Sequence, residues 1–95
     1  MYRVEIISNK SVEEDITDTI DTYLPQVLYT TIPLVYGKGC DDRKMGTSTW
    51  PETNFVLVSY IEDNDYDRMK EIVRAVKERF PREGIKMFAV KTEEL

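Results

Sequence analysis

The chain has 95 residues, of which 41% are hydrophobic and 33% are charged, a composition typical of a folded domain rather than a disordered segment. Its net charge of −5 argues against nonspecific nucleic-acid binding and against electrostatic docking on anionic membranes. The absence of histidine excludes Ser-His-Asp and Cys-His catalysis and histidine-ligated zinc sites. A single cysteine and the lack of a long apolar run predict one cytoplasmic domain, residues 1–95, that is not embedded in a membrane.

The first elements in chain order are a strand and a helix. Residues 2–6 alternate between apolar and charged side chains, which predicts a strand. Ser11 and Glu14 have the spacing of a capping box, in which the serine caps a helix and the glutamate reaches back to it. Apolar residues follow at helical spacing until Pro25, which predicts the end of this helix.

Two further strands are separated by a long polar segment. Residues 27–36 are rich in β-branched and aromatic side chains, and Pro33 within them indicates an edge strand or a bulge. Residues 37–54 are polar and too long for a hairpin turn. Residues 55–61 are an almost unbroken apolar run, which predicts a central strand.

The last elements are a second helix and a final strand. An apolar stripe at helical spacing predicts a helix that starts near Asn64 and Asp65 and ends before Pro81. Residues 85–90 then predict a strand.

This order of elements predicts an α+β fold. Two β-α-β units in the order βαββαβ form a ferredoxin-like sandwich, with a four-stranded antiparallel sheet and two helices on one face. The long segment 37–54 joins the second and third strands.

The strands carry apolar residues on both of their faces. Strict alternation in the second strand places Ile32 on one side and Tyr29 and Val35 on the other, and residues 55–61 are apolar at both sets of positions. Helices cover only one face of this sheet, so the pattern predicts that the second face is buried in a homo-oligomer.

Glycines and basic residues at two strand ends form a candidate anion site. Glycine allows close approach of the backbone to a ligand, and successive N–H groups in such turns bind anions. Turns out of the sheet and a solvated edge explain the same residues without a ligand. The candidate ligand-binding residues are Gly37, Lys38, Gly39, Arg82, Gly84 and Lys86.

The long segment also offers partner-binding and metal-binding candidates. Arg43, Lys44 and Trp50 are the residues expected to contact a protein partner, although Trp50 also suits an anchor on the body of the protein, on a neighbouring subunit or on a ligand. Cys40 and Met45 are soft ligands of the kind that copper(I) prefers, or else an incidental loop thiol and thioether.

Three parts of the chain resemble the PII-like signalling proteins, relatives of the nitrogen regulatory protein PII. VYGKG at 35–39, with a further glycine at 46, is similar to the point where the second PII strand leaves for the T-loop. FVLVSY at 55–60 resembles the returning strand, and GIKMFAV at 84–90 resembles the last one. The B-loop pattern is shortened here and no tyrosine lies in 37–54, so the resemblance is to a divergent relative and not to a true PII.

The resemblance implies a function as well as a fold. It implies a nonenzymatic trimer that binds adenine nucleotides in clefts between subunits, at the base of the T-loop and against the B-loop. Segment 37–54 would be the T-loop, which contacts a transporter or enzyme. The CutA proteins share the trimeric fold and are linked to divalent metal tolerance. A metal-responsive protein that uses Cys40 and Met45 is therefore the alternative.

Overall fold

The computed structural model describes residues 1–38, 43–44 and 53–95. The strands are β1 (Tyr2–Asn9), β2 (Tyr29–Val35), β3 (Gly37–Lys38), β4 (Arg43–Lys44), β5 (Asn54–Ile61) and β6 (Ile85–Lys91), and the helices are α1 (Glu13–Tyr23) and α2 (Asp63–Arg79). The main sheet has the order β2-β5-β1-β6, and all its neighbouring strands are antiparallel. The predicted ferredoxin-like fold is therefore confirmed.

The core lies between the helices and one face of the sheet. Phe55 and Leu57 of the central strand β5 are fully buried there, as are Val4 and Ile6 of β1. The two helices close this core with apolar residues at helical spacing, which are Ile16, Ile20, Met69, Ile72, Val73 and Val76. Neither helix of the described chain is long and apolar enough to cross a membrane.

The entry into α1 differs from the sequence prediction. A 3₁₀ turn over Lys10–Val12 precedes α1, and its cap is Asn9, whose side chain accepts a hydrogen bond from the backbone N–H of Ser11 at 2.9 Å. Ser11 therefore does not cap the helix as predicted. Asparagine is as good a cap as serine, and Asn9 stands at the end of β1, where the chain turns.

Strand β2 contains the irregularity that Pro33 predicts. The register with β5 shifts between Ile32, which pairs with Val56, and Val35, which pairs with Asn54. Val56 and Asn54 are two residues apart and share one face of β5, so Val35 shares a face with Ile32. Strict alternation had placed Val35 on the opposite face. The prediction was wrong because a bulge inserts an extra residue into the strand.

Part of the long polar segment forms regular structure. Gly37 pairs with Lys44 and Lys38 pairs with Arg43 in a second, two-stranded sheet. The sequence prediction had no strands here, because pairs of two residues are too short to leave a periodic pattern. This small ladder continues from β2 and forms the base of segment 37–54.

Candidate ligand site and open sheet face

One end of the main sheet joins the end of β1 to the residues that precede β5 and β6. The N–H group of Asn9 donates to the carbonyl of Gly84 at 2.9 Å, and the N–H group of Lys10 donates to the carbonyl of Thr53 at 2.6 Å. Asn9 and Thr53 are buried, at 3% and 6% exposure. Thr53 in segment 37–54 and the turn before β6 are therefore both hydrogen-bonded to the end of β1.

Gly37 lies where a side chain would not fit freely. A Cβ atom built on Gly37 would lie 3.0 Å from the Nδ2 atom of Asn54. Alanine at this position would require the amide of Asn54 to shift by a few tenths of an ångström. Packing against Asn54 therefore favours glycine at position 37, whether or not a ligand binds there.

Gly84 is different, because nothing lies within 4 Å of a Cβ atom at that position. Neither packing nor a left-handed backbone requires glycine there. Arg82 and Lys86 nearby are exposed. Lys86 pairs in register with Ile7 and follows the buried Ile85, so its side chain projects from the face of the sheet opposite to the helices.

The two halves of the predicted ligand site lie at one end of the sheet but at opposite edges. Gly37 follows β2 and Gly84 precedes β6, and β5 and β1 lie between those strands. Three inter-strand steps of about 4.8 Å separate the halves by about 14 Å. Within a single chain they do not meet around a small anion.

The sheet face away from the helices carries a group of apolar side chains. Ile32, Val56 and Ile7 form one row across it, and Val58 and Phe88 flank Glu5 in the next. Ile32 is 49% exposed and Phe88 is 54% exposed. The prediction that the strands carry apolar residues on both faces is thus confirmed. We call the face away from the helices the open sheet face.

A charged pair lies in the middle of the open sheet face. Nη1 of Arg3 lies 3.0 Å from Oε2 of Glu5. A hydrogen bond with Tyr60, and next the one with Glu5, raises the pKa of Arg3 above its usual range. The guanidinium of Arg3 is therefore paired within the chain, and its charge is partly compensated by Glu5.

Of the remaining candidates from the sequence, two are placed only by their backbone, and four lie outside the residues that the structure describes. Arg43 and Lys44 are placed by the backbone pairing of β4. Gly39, Cys40, Met45 and Trp50 lie outside the described residues. Within residues 1–38, 43–44 and 53–95, no group of three or more carboxylate, thiol or imidazole side chains is arranged to hold a metal ion.

Sequence reasoning missed the residues that join the two halves of the site. Asn9, Thr53 and Asn54 connect Gly37 to Gly84 through hydrogen bonds and packing. Their polar side chains follow or precede apolar strands, which is the usual pattern at any strand end. Only the pairing of β1 with both β5 and β6 shows that they lie together at one end of the sheet.

Several solved structures share this fold over nearly the whole chain. CPII from Thiomonas intermedia K12, a nitrogen regulatory PII-like protein bound to ADP, AMP and bicarbonate, matches with a TM-score of 0.70 and 17% identity, covering 94% of this chain and 84% of that one. A candidate PII-like signalling protein from Thermus thermophilus matches with a TM-score of 0.65 and 17% identity, covering 94% and 83%. The resemblance to a divergent PII-like protein is thus confirmed at the level of the fold.

Comparisons by sequence add nothing to this result, because no protein-family model and no curated protein matches the chain. A de novo designed protein also matches, with a TM-score of 0.59 and 12% identity, covering 97% of this chain and 98% of that one. Because a designed protein shares the architecture, the fold by itself does not define an activity. The function must be argued from the site.

Proposed function

We propose that this chain is a nonenzymatic, PII-like regulatory protein that forms a homo-oligomer and binds an adenine nucleotide between subunits. The observation that carries the proposal is the placement of the glycines and cations at one end of the sheet, on a fold shared with CPII bound to ADP and AMP. We further propose that residues 1–95 form one domain in the cytoplasm. In that reducing compartment the single thiol, that of Cys40, stays reduced.

The separation of the two half-sites supports a cleft between subunits. Gly37 and Lys38 lie at one edge of the sheet, and Gly84 and Lys86 lie at the other. Packing of one subunit's β2 edge beside the β6 edge of the next would bring complementary halves together. The apolar open sheet face supplies surface for such an assembly, and a closed ring of three subunits is the arrangement that we propose.

The base of segment 37–54 links ligand binding to partner binding in this proposal. The β3–β4 ladder begins at Gly37, next to Asn54. A nucleotide phosphate bound by Lys38 and the adjacent backbone would change the free energy of this ladder. Segment 37–54, including Arg43, Lys44 and Trp50, would then present the signal to a transporter or an enzyme.

The test is ligand-dependent thermal stability of the whole chain with ATP, ADP and AMP. A nucleotide at about 100 times its dissociation constant should add about 2.7 kcal/mol to the free energy of unfolding, which raises Tm by several degrees. Gly84→Ala and Lys86→Ala should each reduce this shift. Both positions are open, so the variants should match the parent in stability without ligand.

Lys77→Ala is the matched control, because it removes an exposed lysine from α2, outside the proposed site. It should retain the full nucleotide shift. The nucleotide proposal fails if none of the three nucleotides raises Tm at millimolar concentration. The site proposal fails if a nucleotide binds equally well to the parent and to both site variants.

A further inference from the structure

Helix α1 carries a row of acidic side chains along its outer edge. Its sequence, EEDITDTIDTY, contains several carboxylates and no cation. Three of them are exposed, share one face of the helix by their spacing, and form no salt bridge with any residue that the structure describes, and these are Glu14, Asp18 and Asp21. The hydroxyl of Tyr29 on the edge strand β2 donates to Asp21 at 3.0 Å. This row, which we call the acidic edge, therefore lies on the β2 side of the molecule.

Helix α2 carries a row of cations on the opposite side of the molecule. Lys70, Arg74 and Lys77 line a groove of about 210 Å³ between α2 and the edge strand β6. Arg74 and Lys77 are exposed and form no salt bridge in the described part of the chain. Lys70 is partly compensated, because its Nζ atom lies 3.2 Å from Oδ1 of Asp67. We call this row of three cations the basic edge.

The two edges match in length and run in opposite directions. Each row spans seven residues of a helix, which is a rise of about 10.5 Å. Nη2 of Arg79, at the end of α2, lies 3.6 Å from Oδ1 of Asp15, at the start of α1, so the two helices are antiparallel. Glu14 and Lys77 therefore both lie near the end of the sheet that holds the proposed nucleotide site.

We propose that the acidic edge of one subunit faces the basic edge of the next at each contact of the homo-oligomer, and that this attraction selects which edges meet. The inference rests on the assembly proposed above, in which the β2 edge of one subunit lies beside the β6 edge of its neighbour. That arrangement brings the acidic edge of α1 to the side of the basic edge of α2. With all nucleotide half-sites at the same end of the ring, the two helices remain antiparallel. The opposed pairs, with the acidic residue first, would be Glu14 with Lys77, Asp18 with Arg74, and Asp21 with Lys70.

The same charges disfavour contacts between identical edges. Two acidic edges, or two basic edges, would bring like charges together, and like-charge contacts suppress the wrong pairing. Only unlike edges attract, and each subunit has one edge of each kind, so the contact repeats head to tail around a closed ring. Such a ring places Gly37 and Lys38 of every subunit beside Gly84 and Lys86 of the next. The two edges therefore also determine which nucleotide half-sites meet.

The expected contribution of these charges is modest and depends on salt. An exposed ion pair changes an equilibrium constant by about fivefold or less. Charges that remain separated by solvent still interact over a Debye length of about 8 Å at physiological ionic strength. The apolar open sheet face would supply most of the affinity, whereas the edges would supply orientation and the choice of contact.

The experiment measures the mass of the full chain by light scattering over a range of protein concentrations at low salt. Arg74→Glu and Asp18→Arg each replace an attractive contact with a repulsive one, and each should weaken a subunit contact by about fivefold. The two substitutions combined in one chain restore opposite charges at every contact, so association should return to within about twofold of the parent. Arg68→Glu is the matched control, because it makes the same change of charge at an exposed position of α2 outside the basic edge. It should weaken association by less than about twofold.

Salt provides an independent test of the same contact. Association of the parent should weaken as sodium chloride rises to about 0.5 M, because the Debye length falls, and association of Arg74→Glu should weaken less. The pairing of edges is overturned if the double variant associates no better than Arg74→Glu, or if salt does not weaken association of the parent. A parent that remains oligomeric in those cases leaves the proposed function standing. A parent that is monomeric at high micromolar concentration overturns both the pairing of edges and the assembly on which it rests.

Discussion

The hydroxyl group of Tyr29 connects β2 to α1 by donating to Asp21, with distances of 3.0 and 3.2 Å to its two carboxylate oxygens. Burial, and next this hydrogen bond, raises the pKa of Tyr29 above 10.0. The folded state therefore keeps the phenolic proton at a pH where the unfolded state has lost it. The resulting stabilisation is fully present below the unfolded pKa and is lost as the pH rises through the folded pKa.

Tyr29→Phe should remove this dependence of stability on alkaline pH. We expect it to lower the free energy of unfolding by about 1 kcal/mol near neutral pH, through loss of the hydrogen bond. As the pH rises above about 10, the parent should lose more stability than the variant, so the two curves should converge. Urea denaturation across this range measures both effects. Tyr23→Phe removes an exposed hydroxyl from α1, and its stability should follow that of the parent at every pH. Parallel curves for the parent and Tyr29→Phe would contradict the role assigned to the Tyr29 hydroxyl.

At the scale of elements, α1 forms despite a sequence that is weak for a helix. It contains three threonines, whose hydroxyls bond to carbonyls one turn back, including Thr22 to Asp18 at 2.8 Å. β-branched residues lose side-chain freedom in a helix, so α1 depends on burial of Ile16 and Ile20 for its stability. The same threonines would be favourable in a strand.

Replacement of threonine by alanine should therefore have opposite effects on the free energy of unfolding in a helix and in a strand. Thr22→Ala, on the exposed side of α1, should raise the free energy of unfolding by about 0.5 kcal/mol. Thr30→Ala, exposed on β2, should lower it by about 0.5 kcal/mol, because threonine suits a pleated surface better than alanine. Chemical denaturation of both variants gives the comparison. Changes of the same sign would show that local propensity does not limit α1.

At the scale of the whole molecule, one sheet face is covered and the other is open. The helices bury Phe55 and Leu57, while Phe88 and Ile32 remain about half exposed on the opposite face. The central Arg3–Glu5 pair is already joined within the chain, with its atoms 3.0 Å apart. In the proposed assembly this pair would enter an interface with its charges mutually compensated, which lowers the cost of burying them.

Phe88→Glu should dissociate the proposed homo-oligomer. Loss of a buried phenylalanine costs about 2 kcal/mol per interface, which weakens association about 30-fold before any charge repulsion. Light scattering coupled to gel filtration measures the mass directly. Leu95→Glu changes an exposed apolar residue in the C-terminal tail, and it should leave the mass unchanged. A parent chain that is monomeric at high micromolar concentration would contradict the assembly.

Local patterns were sufficient for most of the fold. The period of two in residues 2–6 and the helical stripe ending before Pro81 predicted β1 and α2 correctly, because both elements bury one face against a single core. The sequence predictions failed where two nearby residues suit the same role, or where an element is too short to leave a pattern. Ser11 and Asn9 are both good caps, and the position of the turn selected Asn9. The β3–β4 ladder is too short to leave a period in the sequence.

By itself the sequence determined the order of elements, the apolar character of both sheet faces and the positions of the glycines and cations, because these depend on residue type and spacing. Only the tertiary structure decided which of them lie together. Register placed Gly37 and Gly84 at one end of the sheet but about 14 Å apart, and the bulge at Pro33 moved Val35 to the other face. The tertiary structure also set Arg74 and Lys77 of α2 beside Met87 and Ala89 of β6. Such contacts join residues far apart in the chain, and they depend on strand pairing that no local pattern encodes.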